Sequence, residues 1–117
     1  MFMLTEHFSE NELCCRCGCG QCQMNYRLLY ILEKIRKEYG KPMHITSGYR
    51  CRAHNIAVKG TVNSKHMDGM AVDVACDDSK NRYELVSLAL ILGIKGIGID
   101  RSFIHMDIRS DARMWVY

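Results

Sequence analysis

Three residues of this chain could together hold a metal ion. The stretch NSKHMDGMAVDV, residues 63–74, sets His66 and Asp73 seven positions apart, and FIHMDI, residues 103–108, adds His105. Asp73 sits between Val72 and Val74 in an apolar run that reads as a buried strand. A buried carboxylate without a partner costs on the order of several kcal/mol, so it must be paired or metal-bound. His105 alternates with Phe103 and Asp107 on one face of its segment, with Ile104, Met106 and Ile108 on the other. Two imidazoles and one carboxylate form a facial ligand set for zinc. Three protein ligands leave a fourth position for water, which is the catalytic rather than the structural arrangement. The competing reading pairs Asp73 with an arginine and leaves both histidines as satisfied core residues. It explains any one of the three better than it explains all of them.

The cysteines pose a second metal question. Five of the seven crowd into CCRCGCGQC at positions 14, 15, 17, 19 and 22, and Cys51 and Cys76 lie apart. Residues 1–13 lack the charged and long apolar regions of a signal peptide. The chain is therefore expected to be made in the cytoplasm, where dense cysteines favour metal over disulfides. No second CxxC follows at zinc-ribbon distance, so Cys51 is the natural distant partner. The expected structural site is Cys15, Cys17, Cys22 and Cys51; the alternative is a cysteine-rich loop of thiols with no ligand.

The elements that must position these residues follow from periodicity and caps. Residues 24–40, MNYRLLYILEKIRKEYG, place Leu28, Leu32, Ile35 and Tyr39 at helical spacing, with Asn25 as a cap and Gly40 as a stop. Residues 43–46, MHIT, read as a short strand, and residues 49–60 hold a short helix ending near Gly60. MAVDVA, residues 70–75, alternates like a strand. A second capped helix begins at Asp78 or Ser79 and ends at Gly93. The strands KGIGID and FIHMDI follow, then a turn at RSDAR and the strand MWVY. Helices early and between strands, with short turns among the late strands, imply a single α+β domain over residues 1–117 with a small antiparallel sheet carrying the zinc site.

Composition narrows the partners. With 117 residues, 48% hydrophobic and 25% charged, the chain can bury one modest core. A net charge of +3 suits approach to an anionic surface such as a bacterial wall, but is far from a nucleic-acid binder's dense basic footprint. The longest apolar run, LVSLALILGI from Leu85, is too short to cross a bilayer. A monomer that binds no nucleic acid and inserts into no membrane is expected.

ITSGYR, NSKHMDGMAVD and FIHMDIR resemble segments of the zinc D-Ala-D-Ala carboxypeptidase family, part of the larger group that includes lysostaphin-type peptidases and the hedgehog fold. The family signature Ser-x-His-x-x-Gly-x-Ala-x-Asp is matched at every position by Ser64, His66, Gly69, Ala71 and Asp73, and its late histidine by His105. LTEHFSENEL, the cysteine cluster and the helix before ITSGYR also resemble small phage- and prophage-type members, so the likeness covers nearly the whole chain. It implies that His66, Asp73 and His105 bind zinc. Arg50 would stabilise the developing oxyanion or anchor a terminal carboxylate, and Ser64 would hydrogen-bond substrate or hold the loop that aims His66.

The chain departs from the family at the general base. Many members carry Glu or Asp three residues before the last zinc histidine, where this chain has Ser102; others carry a histidine two residues before it, where this chain has Phe103. Asp107 is the nearest substitute as proton acceptor, and could equally orient a zinc ligand; Asp100 is a further candidate. The resemblance implies a zinc-dependent peptidase that hydrolyses peptidoglycan stem peptides, as a D-Ala-D-Ala carboxypeptidase or an endopeptidase, acting on the wall after release from the cell. The alternative is a non-catalytic zinc module that binds wall peptide or a protein partner.

Overall fold

The structure is a computed structural model and describes residues 3–117. Among them, four helices and five strands follow one another as α1 (Glu10–Leu13), α2 (Tyr26–Tyr39), β1 (Ile45–Ser47), α3 (Arg52–Ala57), β2 (Ala71–Ala75), α4 (Ser79–Ile91), β3 (Gly96–Ile99), β4 (Phe103–Asp107) and β5 (Arg113–Val116). Helix α2 starts where the Asn25 side chain accepts from the amides of Arg27 and Leu28, satisfying two donors that the first turn leaves orphaned. It ends at Gly40, whose φ of 70° is the left-handed turn that glycine adopts without a Cβ penalty. Asp78 caps α4 in the same way, accepting from the Asn81 amide.

The strands form one sheet in the order β1-β2-β4-β3-β5. Strand alternation divides its two faces. Val72 and Val74 of β2, Ile97 of β3, and Ile104 and Met106 of β4 join Leu28, Leu32 and Ile35 of α2 and Leu85 and Ala89 of α4 in one buried core. Truncating a core leucine such as Leu32 to alanine costs about 2–5 kcal/mol, which sets the scale of this packing. The intervening residues Asp73, His105 and Asp107 are therefore left on the face away from the helices.

The sheet is mixed, not antiparallel throughout. β1–β2, β2–β4 and β3–β4 pair antiparallel, but β5 pairs parallel with β3. The reason lies in the order of the strands. Both edges of β4 are occupied, by β2 and β3. The chain that turns back after β4 must take the outer edge of β3, and a strand antiparallel to β4 is then parallel to β3.

Candidate active site

His66 lies on the turn-rich connection between α3 and β2, not on a regular element. Its position is fixed by hydrogen bonds: its amide donates to the Ser64 hydroxyl at 3.2 Å, and its carbonyl accepts from Arg50 N at 3.1 Å. The turn closes at Gly69, with φ of 68°, where a Cβ would overlap the backbone carbonyl of Gln23. Asp73 and His105 are direct cross-strand partners in the β2–β4 pair. All three side chains are buried, and their ligand atoms lie within 4.8 Å of one another.

The hydrogen bonds determine what those atoms can hold. Nδ1 of His66 stands 2.8 Å from the carbonyl of Gly48, which only accepts, so Nδ1 carries the proton. Nε2 of His105 stands 2.7 Å from the Asp107 carboxylate and likewise donates. In the neutral rings, Nε2 of His66 and Nδ1 of His105 are then lone-pair acceptors. They face the same Asp73 oxygen, at 3.3 and 3.1 Å. With both rings neutral, three acceptors converge on one buried point that a cation would satisfy, and two imidazole nitrogens with a carboxylate oxygen are a donor set that fits zinc.

The charges around this point reinforce one another. Burial works against the charge on Asp73, yet His105 and His66 beside it hold its carboxyl well below the usual range. Burial opposes protonation of His105, but Asp107 and Asp73 raise its pKa above the ordinary value. The Arg50 guanidinium approaches the second Asp73 oxygen at 3.5 Å and is braced by Ser47 Oγ and Asn55 Oδ1.

Asp107 does not stand where a proton acceptor for water at the triad would stand. It is fully buried and faces Nε2 of His105, the ring nitrogen turned away from Asp73. Arg109 clamps its two oxygens with Nε at 2.9 Å and Nη2 at 2.7 Å, and the Arg109 amide adds a third donor. Burial would raise the Asp107 carboxyl, but its bonds to His105 and Arg109 hold it well below the carboxylate range. Of the two roles read for Asp107, proton acceptor or orienter of a zinc ligand, this geometry agrees with the second, since both of its oxygens already accept hydrogen bonds. Asp100 is not brought to the site either. It accepts from the amide and hydroxyl of Ser102 in the β3–β4 turn and does not line the cleft over the triad.

That cleft has a volume of about 760 Å³ and exposes Arg50, Ser64, His66, Asp73 and His105 on its wall. Lys59, Lys65, Arg109 and Arg113 also line it, and Asp73 is the single carboxylate among its lining residues. The profile of the Peptidase M15 family matches residues 6–107. The chain belongs to this family. No curated protein gives a match. As an M15 peptidase the chain is a hydrolase of peptide bonds, and the convergent acceptors agree with the metal dependence of that family.

Several supporting residues were missed in the sequence. Gly96 and Gly98 in β3 lie opposite Asp107 and His105. A Cβ at Gly96 would overlap the Asp107 carboxylate, and one at Gly98 the Trp115 indole. The alternating glycines of KGIGID were the available signal, since glycine inside a strand marks close approach of another group. Trp115 stacks Arg109 at 4.8 Å and tilts against His105 at 5.2 Å.

The second thiol group also differs from expectation. Cys22 is disulfide-bonded to Cys14, which removes it as a ligand. Cys19 takes its place, so that the sulfurs of Cys15, Cys17, Cys19 and Cys51 lie within 4.8 Å of one another.

Proposed function

We propose that this chain is a zinc peptidase that hydrolyses peptide bonds in peptidoglycan stem peptides, next to a free carboxylate. The observation that carries the reading is the convergence of three acceptors, on His66, Asp73 and His105, on the floor of a cleft with five cationic side chains on its walls. Zinc in such a site lowers the pKa of a water toward about 7 and polarises a carbonyl.

The chain's own residues do the rest. Gly48 and Asp107 fix the tautomers of His66 and His105, so that the lone pairs face inward. Arg50, poised beside Asp73, meets the substrate carbonyl and stabilises the charge that develops there. Ser64 holds the His66 amide and so sets the angle of the ring. Lys59 and Lys65 receive the carboxylates of the peptide, a group that stem peptides carry in quantity.

A second reading has one specific observation behind it. Among the described residues no carboxylate side chain besides Asp73 lines the cleft, as expected of a module that binds wall peptide without cutting it. Incubation of the zinc-loaded protein with purified peptidoglycan and with D-Ala-terminated pentapeptide, with and without chelator, decides between them. New amino termini or released D-Ala by mass spectrometry, abolished by chelator, support the peptidase. Binding with no fragments supports the module.

A further inference from the structure

Four free thiols beside the Arg50 segment lie at the spacing of ligands around one metal ion. The sulfur of Cys17 lies 3.5 Å from that of Cys15 and 3.6 Å from that of Cys51. Those separations are too long for disulfide bonds, which need about 2.05 Å. They match the edge of a tetrahedron of thiolates about 2.3 Å from a central zinc, which is roughly 3.8 Å. Amide hydrogens already point at three of the sulfurs: Cys51 N at Cys15, His54 N at Cys51 and Gln21 N at Cys19, each at 3.4 Å. N–H donors of this kind stabilise thiolate and are the outer contacts a thiolate metal site needs. The ligands span the depth of the site, with Cys15 and Cys51 buried and Cys17 and Cys19 exposed. A metal therefore has an entry path from solvent.

The placement of Cys51 ties this cluster to the peptidase site. Cys51 follows Arg50 directly and caps α3 through its sulfur. The segment before it carries the Gly48 carbonyl that orients His66, and Tyr49 N donates to Leu13 O at 2.7 Å, next to the cysteine loop. We infer that Cys15, Cys17, Cys19 and Cys51 hold a second, structural zinc that clamps residues 48–51 to the cysteine loop and thereby positions Arg50 and the Gly48–His66 contact. On binding, the thiols give up their protons to solvent. The metal site stands independently of the peptidase reading; only its effect on the triad rests on that reading.

Cobalt titration of the metal-free chain, with the Cys14–Cys22 disulfide intact and the other thiols reduced, separates the two sites. Four thiolates give intense sulfur-to-cobalt charge-transfer absorption, which a site of two histidines and one aspartate cannot produce. The bands are expected in the wild type and in His66→Ala, and lost in Cys19→Ser. Cys19 is exposed, so its replacement spares the buried packing that Cys51→Ser would disturb. Zinc content should fall by about one equivalent in Cys19→Ser, and the zinc affinity of the remaining site by on the order of tenfold. Absence of the bands in the wild type so prepared, or unchanged zinc content in Cys19→Ser, overturns the thiolate site. An unchanged affinity at the remaining site overturns its coupling to the triad. None of these outcomes depends on whether the protein cleaves peptide.

Discussion

Asp107→Asn separates the two roles a carboxylate beside a histidine ligand can play. Asparagine keeps the shape but removes the charge that holds the His105 Nε2 proton at 2.7 Å and pairs with Arg109. A hydrogen bond to a charged group contributes about 1.5–3 kcal/mol, and roughly 1.4 kcal/mol is a factor of ten. Zinc affinity should therefore fall about 10–100-fold, the range typical for losing a carboxylate behind a metal-bound histidine. Arg109 also loses its partner, so some fall in thermal stability accompanies the change. Competition against a chromophoric chelator gives the affinity, and hydrolysis of a D-Ala-terminated peptide at saturating zinc gives the rate. The expected result is weaker zinc binding with a saturated rate within about tenfold of wild type. Unchanged zinc affinity with a loss of about 10²–10⁴ in saturated rate would refute the argument, because that is what removing a general base does.

Arg50→Ala should retain zinc and lose on the order of 10²–10³ in kcat, measured on the same peptide, because the developing oxyanion charge is left without its guanidinium. Gly96→Ala should lower stability by about 1–3 kcal/mol and weaken zinc binding, since its Cβ displaces the Asp107 carboxylate; thermal unfolding and the chelator competition read both effects. Glu33 supplies a pH test of the N-terminal region. Burial opposes its charge, but bonds from His7 and Thr5 hold its pKa below the ordinary carboxyl value. Its contribution, about 1–2 kcal/mol over Glu33→Gln, is thus fully present above the ordinary carboxyl range and lost as pH falls through the lower folded pKa. Denaturant unfolding should show a gap between the two proteins that is constant near neutrality and closes in acid; a gap that widens in acid would contradict the sign.

Much of the site was legible because its residues break local rules. Asp73 is a charge inside a valine run, and His105 shares the polar face of a strand whose other face is aliphatic, so alternation alone brought them onto one side of the sheet. Asn25, Gly40 and Asp78 announced the helix ends through capping chemistry. The choice between the two roles of Asp107 was not legible, because its orientation depends on Arg109 and on which His105 nitrogen it meets. Sequence spacing places both on one strand face without saying which ring edge faces the metal. The direction of β5 was hidden for a different reason. Four largely exposed residues show no face preference, and their pairing is dictated by β3 and β2 already filling both edges of β4. The cysteine pairing was equally hidden, since sulfurs this dense can combine in many ways and the fold chooses Cys14 with Cys22.

The claim on which the rest depends is that His66, Asp73 and His105 hold a zinc ion. Elemental analysis of purified wild type and His66→Ala, prepared identically and confirmed as folded, tests it directly. About one zinc equivalent fewer in the variant is predicted, because two ligands on β2 and β4 cannot retain the ion without the third. Equal zinc content in the two proteins would contradict the assignment.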